Sequence, residues 1–300
     1  MNPVIDGLRS LLARLPIGPL RPVMPVVAVL RLSGVIGGVG PLRTGMTLAR
    51  LAGSIERAFS IPGVKAVALA INSPGGSPVQ SSLIARRIRQ LATEKKVPVV
   101  AFAEDVAASG GYWLACAADE IFADASSILG SIGVIAASFG FAEAIERIGV
   151  KRRIYTAGEH KSILDPFRPE NPDDVERLKA VQAEIHAGFQ GWVRERRGDR
   201  LRGTPEELFS GEFWTGRRAL ELGLIDGIDD LRSAMRRRFG DDVRLRVVGS
   251  ERSWLRRRLL ADAVLREVGA GDPPSLLPVS WAEDLLAAIE ARSLWNRFGL

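Results

Sequence analysis

Apolar residues in this chain gather into short, nearly unbroken runs separated by longer stretches in which they recur every three or four positions. Val26 to Leu32, Val64 to Ile71 and Val97 to Ala103 are runs of the first kind. Their length, and the lack of polar alternation, predict strands of a sheet covered on both faces. Leu48 to Phe59 and Pro78 to Thr93 have helical spacing and follow the first and second runs. A short helix is expected over Gly111 to Ala118. Short strands are expected over Glu120 to Asp124, Ile132 to Ala136 and Arg153 to Ala157. Pro172-Asp-Asp opens a long helix to about Arg197, since proline and acids suit a first turn. Pro205 to Phe209 and Arg217 to Leu222 read as short helices, Gly223 ending the second. Val243 to Val248 reads as a last strand. Gly269 to Pro278 reads as a linker before a final helix, Trp281 to Ala291. Strand–helix alternation of this kind predicts an α/β fold.

Three hundred residues, 46% of them hydrophobic and 25% charged, suffice for a sizeable globular core. The single cysteine, Cys116, rules out an intrachain disulfide and reads as a small core residue. Residues Ala125 to Ala142 form 18 uncharged positions, nominally a membrane-span length. Four serines and three glycines interrupt that run, so buried strand–turn–strand is the reading adopted. Arg9, Arg14, Arg21 and Arg31 break up the N-terminal apolar stretches, so neither a transmembrane helix nor a cleaved signal peptide is expected. Charge is concentrated late in the chain: Leu231 to Arg258 holds ten arginines against Asp241, Asp242 and Glu251. Trp254, Leu255, Leu259 and Leu260 lie among those arginines, as in an interfacial basic helix. Contact with an anionic membrane or with a neighbouring subunit fits this segment equally. Nucleic acid does not, because no recognised module or aromatic platform accompanies the arginines.

The chemistry centres on Ser109, set in Val106-Ala-Ala-Ser-Gly-Gly-Tyr-Trp113. A serine on a glycine turn can be presented to a cleft, because backbone close to a substrate carbonyl has no room for a Cβ. The Gly110 amide then lies where an oxyanion would form. Serine needs a base. The two histidines, His160 and His186, sit in no triad-like pattern. Lysine numbers only six against 35 arginines, and unlike arginine it can lose its charge when buried. Lys161, in Ala157-Gly-Glu-His-Lys-Ser162, is the candidate.

Asn72-Ser-Pro-Gly-Gly76, Ala108-Ser-Gly-Gly-Tyr112, Gly130-Ser-Ile-Gly-Val134, Gly158-Glu-His-Lys161 and Thr215 to Asp226 follow one another as in signal peptide peptidase A. Over residues 23 to 248 the chain resembles the single-unit bacterial form of that serine–lysine peptidase family. The resemblance implies a ClpP/crotonase-like fold, an acyl-enzyme mechanism on peptides or membrane-protein remnants, and a homo-oligomer whose dyad is shared between neighbouring subunits. It implies Ser109 as nucleophile, Lys161 as general base and Ser131 as the hydroxyl that orients the lysine. Gly110 and Gly76 would donate to the oxyanion, with Gly75 as the alternative to Gly76. Residues 1–22 would then be an amphipathic arm, 23–248 the peptidase domain and 249–300 a basic helical extension. A cytoplasmic protein, peripheral at the inner membrane, is expected. No metal or organic cofactor is expected, because His and Cys are too few and scattered for a ligand set. Two other readings share this fold or its scaffold: an acyl-CoA enzyme using Glu104, Asp105, Asp119 or Glu120, and a catalytically quiet scaffold for membrane complexes.

Overall fold

The computed structural model describes residues 24–38, 45–249, 289 and 292–299. The expected N-terminal arm, the Gly269 to Pro278 linker and almost all of the final helix lie outside the described residues.

The three apolar runs form β1 (Val26–Ser33), β2 (Val64–Ser73) and β3 (Val99–Ala108), adjacent and parallel. Side chains alternate across a strand, so each run supplies two cores. Leu30, Leu32, Leu69 and Ile71 face one, while Val27, Val29, Ala68 and Ala70 face the other. Burial on both faces is why these runs lack polar alternation. On the first face pack α1 (Leu48–Phe59) and α2 (Pro78–Lys95). Pro78 opens α2 behind Ser77, whose Oγ accepts from the Gln80 N–H at 3.4 Å.

Beyond the asymmetric middle of β3 the sheet forks. Val100 to Ala103 pair with β4 (Glu120–Ala123), whereas Val106 to Ala108 pair with β5 (Ile128–Gly130). Between β3 and β4 runs α3 (Gly110–Ala115), all six residues of which are buried. After β5 come α4 (Ala142–Arg147), α5 (Pro172–Arg197) and α6 (Pro205–Leu208). Next are β6 (Phe213–Thr215), α7 (Gly216–Glu221), β7 (Gly227–Ile228), α8 (Leu231–Phe239) and β8 (Arg244–Val248). The sheet order is β6-β5-β3-β2-β1-β8, with β4 and β7 off this path. Only the β5–β6 pair is antiparallel among the ladders of the described residues. Ala234 and Met235 of α8 cover part of the second core.

Three expectations need correction. No strand forms over Ile132 to Ala136; β5 lies just before it and stops because Ser131 turns to φ 52, out of extended backbone. No strand forms over Arg153 to Ala157, a stretch with no ladder partner and mostly exposed. The uncharged run up to Ala142 is buried only through its first part. From Ile135 onward it leaves the core, and a helix (α4) follows where none was expected. Among the described residues, no helix is long and apolar enough to cross a membrane.

Candidate active site

The motif turns converge because β1, β2, β3 and β5 are parallel and end on the same side, the edge of an α/β sheet where sites form. Ser109 follows the last residue of β3 and Ser131 the last of β5, and those last residues, Ala108 and Gly130, are paired in register. The Ser109 N–H donates to the Gly130 carbonyl at 2.7 Å. Both serines have positive φ, 53° and 52°. Non-glycine residues in sparsely populated backbone regions each cost about 1–3 kcal/mol and persist only where their surroundings fix them.

At Ser109 that fixing comes from α3, which it caps, and from α5. The Trp113 N–H donates to the Ser109 carbonyl at 3.0 Å, closing the first turn. The far end of α3 is tied down by α5: Trp192 Nε1 donates to the Trp113 carbonyl and Arg196 Nε to the Cys116 carbonyl, both at 3.0 Å. Trp113 and Phe189 stack with ring centroids 4.5 Å apart. Tyr112, fully buried, donates its hydroxyl to the Leu224 carbonyl at 2.7 Å. It therefore belongs to the core. Burial pushes the Tyr112 phenol well above its ordinary value and the Cys116 thiol up to about 12, so neither is an acid or nucleophile near neutrality.

The loop that carries Leu224 is held by a buried ion pair. Arg197 donates to both carboxylate oxygens of Asp226, at 2.7 and 3.1 Å, and twice to the Gly223 carbonyl. Burial works against the Asp226 charge, but the hydrogen bonds and charge of Arg197 outweigh it and hold the carboxyl below its usual range.

The Asn72-to-Gly76 turn closes the other side. Asn72 bridges the irregular part of the β2–β3 ladder, giving Nδ2–H to Asp105 at 2.6 Å and accepting from the Val106 N–H at 3.3 Å. A Cβ on Gly75 would lie 2.8 Å from both the Gly110 nitrogen and the Ser109 Cβ, so this glycine touches the Ser109 turn. Its own N–H is taken by Ser73 Oγ at 3.2 Å. Gly76 is pressed against Ile36, where a Cβ would be 2.1 Å from the carbonyl oxygen, and its N–H meets no acceptor among the described residues. The Gly110 N–H, in the first turn of α3, has no intrahelical acceptor either.

Ser131 is 4% exposed and its hydroxyl makes no hydrogen bond among the described residues. No fully buried side-chain oxygen is left unpartnered there, so this hydroxyl reaches the accessible surface. Lys161 is apart from this cluster. It sits in an exposed turn, its N–H on the Gly158 carbonyl at 3.3 Å, and no hydrogen bond or ion pair engages its Nζ among the described residues. The surrounding arm, residues 134–170, leaves large apolar side chains uncovered: Ile135 is 64% exposed, Phe139 77%, Ile148 73% and Tyr155 90%. Thus one protomer brings Ser109, Ser131, Gly75 and Gly110 together, while Lys161 stays on an arm without a covering surface.

The acids that an acyl-CoA chemistry would use are otherwise occupied. Asp119 accepts from the Val99 N–H at the opposite end of β3 and pairs with Arg89; Glu120 pairs with Arg238. Glu104 and Asp105 face Arg31 and Asn72. A groove of about 1080 Å³ lies on the second face of the sheet, between Phe102, Ile128, Leu245 and Phe298; Glu104 and Asp105 line it, but Ser109, Ser131, Lys161, Gly75, Gly76 and Gly110 do not. No cluster of metal-ligating side chains occurs among the described residues.

Residues 91–240 match Peptidase family S49. Over 295 residues, 98% of this chain, the sequence is 50% identical to 39% of a Brucella abortus (strain 2308) protein named Na(+)/H(+) antiporter NhaA. It is 35% identical over 57% of its length to a quarter (25%) of the chloroplastic serine protease SPPA of Arabidopsis thaliana. This chain therefore spans well under half of either relative. Among solved structures, a variant of the 1510-N membrane-bound stomatin-specific protease in complex with a substrate peptide aligns with 80% of this chain and all of that one, at 15% identity and a TM-score of 0.46.

Proposed function

Since the chain belongs to peptidase family S49, whose ClpP/crotonase-like α/β fold it shares, we propose that it is a serine endopeptidase acting through Ser109 and Lys161. The observation that carries the proposal is the in-register ending of β3 and β5, which sets the Ser109 and Ser131 turns side by side. In this reading unprotonated Lys161 takes the proton of Ser109 Oγ as that oxygen attacks a peptide carbonyl. The Gly110 and Gly76 amides, both left without an acceptor, stabilise the tetrahedral oxyanion. Gly75 is the less suitable donor, its N–H being engaged by Ser73. The amine leaves with the lysine's proton, an acyl-enzyme remains on Oγ, and water releases it.

Lys161 reaches the serine of a neighbouring copy. The arm's exposed apolar residues support this: soluble surfaces seldom leave so many large side chains open unless something covers them. Ser131 then orients the incoming Nζ. The substrate is a peptide or a membrane-protein remnant, and the protein works in the cytoplasm at the periphery of the inner membrane. The Brucella relative, in which a matching stretch makes up 39% of a protein named as an antiporter, is consistent with work close to a membrane.

The test is subunit complementation. Ser109→Ala and Lys161→Ala should each lack peptidase activity and phosphonate labelling. Unfolded together and refolded as mixed oligomers, they should regain part of it, because one copy lends the serine and another the lysine. A wild-type protein that hydrolyses no peptide and takes no label would sink the peptidase reading. Active wild type with mixed oligomers that stay dead would sink the shared dyad alone.

A further inference from the structure

His186, on α5, places Nε2 3.0 Å from the carbonyl oxygen of Ile132. A carbonyl oxygen only accepts, so Nε2 carries the hydrogen of this bond. Gln190, one turn along the same helix, places its amide nitrogen 3.2 Å from Nε2 and 3.4 Å from Nδ1 and so lies against the ring. Half-buried and facing backbone, this imidazole has no role in the mechanism above.

Its acceptor is the residue after Ser131. The Ser131 backbone, at φ 52, is held on one side by its N–H, which donates to the Glu212 carbonyl at 2.6 Å. It is held on another by its carbonyl, which accepts from the Gly133 N–H at 3.0 Å. Past Gly133 the chain leaves for the uncovered arm. The bond from His186 is thus a side-chain tie on the backbone just before it leaves the body, one residue after the positive φ of Ser131. Ser131 has no side-chain bond of its own among the described residues, so backbone contacts set where its Cβ, and with it the reach of its hydroxyl, lies.

We infer that His186 is a positioning residue: by gripping the Ile132 carbonyl it holds Ser131 Oγ where it can orient the lysine amine. This rests on the peptidase reading. The effect should fall on the chemical step and not on substrate binding, because a displaced hydroxyl mis-sets the base without altering the cleft. Misplacement of a reacting group by about 1 Å costs about a hundredfold.

The experiment uses full-length enzyme, a fluorogenic peptide, steady-state kinetics and thermal melting. His186→Leu should lower kcat about ten- to a hundredfold with KM within about twofold, relative to wild type. His186→Gln keeps an N–H at similar reach and should recover kcat to within about threefold of wild type. Wild-type kcat in His186→Leu overturns the inference, as does a loss that His186→Gln fails to rescue or one confined to KM. If His186→Leu melts below the assay temperature, Gln190→Leu decides: it must lower kcat with KM held, and unchanged kcat refutes the inference. A wild type that cleaves nothing defeats the peptidase reading itself, which distinguishes that failure from failure of the His186 role.

Discussion

Replacing Arg197 by Met tests how the core steadies the nucleophile helix. Arg197 is 3% exposed and makes four hydrogen bonds, two to Asp226 and two to the Gly223 carbonyl. Removing one partner of a buried ion pair costs about 3–5 kcal/mol, since the other charge is left without compensation. Here the lower end applies: Asp226 keeps the Ile121 N–H at 2.7 Å and Arg200 at 3.2 Å. The Gly223 carbonyl loses both bonds from Arg197, which is included in that figure. Urea denaturation by linear extrapolation should therefore show a loss of about 3 kcal/mol at neutral pH with unchanged slope. The dependence on pH supplies a second reading. The Asp226 carboxyl is held below its usual value in the folded state. Its contribution is thus complete above the unfolded value of about 3.9 and disappears as pH falls through the lower folded value. In Arg197→Met that acid-side loss should shrink. A neutral-pH change below about 1 kcal/mol, the range of an exposed pair, would refute the reasoning.

Two further outcomes follow from the geometry. Gly75→Ala should cut phosphonate labelling of Ser109 about a hundredfold, because its Cβ would press on the nucleophile turn from 2.8 Å. Gly63→Ala, also at positive φ but with open space around it, should lose stability and keep reactivity; equal labelling of the two variants would contradict this. The arginine-rich stretch within Leu231 to Arg258 should carry the protein up with anionic vesicles at low salt and release it at high salt. Equal recovery with neutral vesicles would exclude an electrostatic lipid contact.

The sheet interior was legible because burial on both faces writes a continuous apolar run, as in β1, β2 and β3. Helix starts were legible where Ser77-Pro78 and Asn171-Pro172 cap and open α2 and α5. The misplacement of β5 has a local cause: Ile132 to Ala136 has strand composition, but the ladder ends at Gly130 and Ser131 turns away. The two- and three-residue strands β6 and β7 could not be read, because only their ladder partners define them. The arm was misread for a different reason. Its apolar residues look like core in the sequence, yet Ile135, Phe139, Ile148 and Tyr155 are left exposed by the fold. Ordered motifs marked Ser109, Ser131 and Gly75, which the fold does bring together. His186 left no such trace, since its partner is a main-chain carbonyl 54 positions away and any residue type could supply it.

The carbonyl of Gly130 grips the amide of Ser109, and three residues beyond it the polypeptide departs for the arm. The Ser109 turn and the arm that carries Lys161 therefore share one support at the end of β5. On the proposed shared dyad, a solitary copy would hold a serine with no base beside it. Pairing with a second copy would, on that proposal, supply the amine and cover the arm in one step.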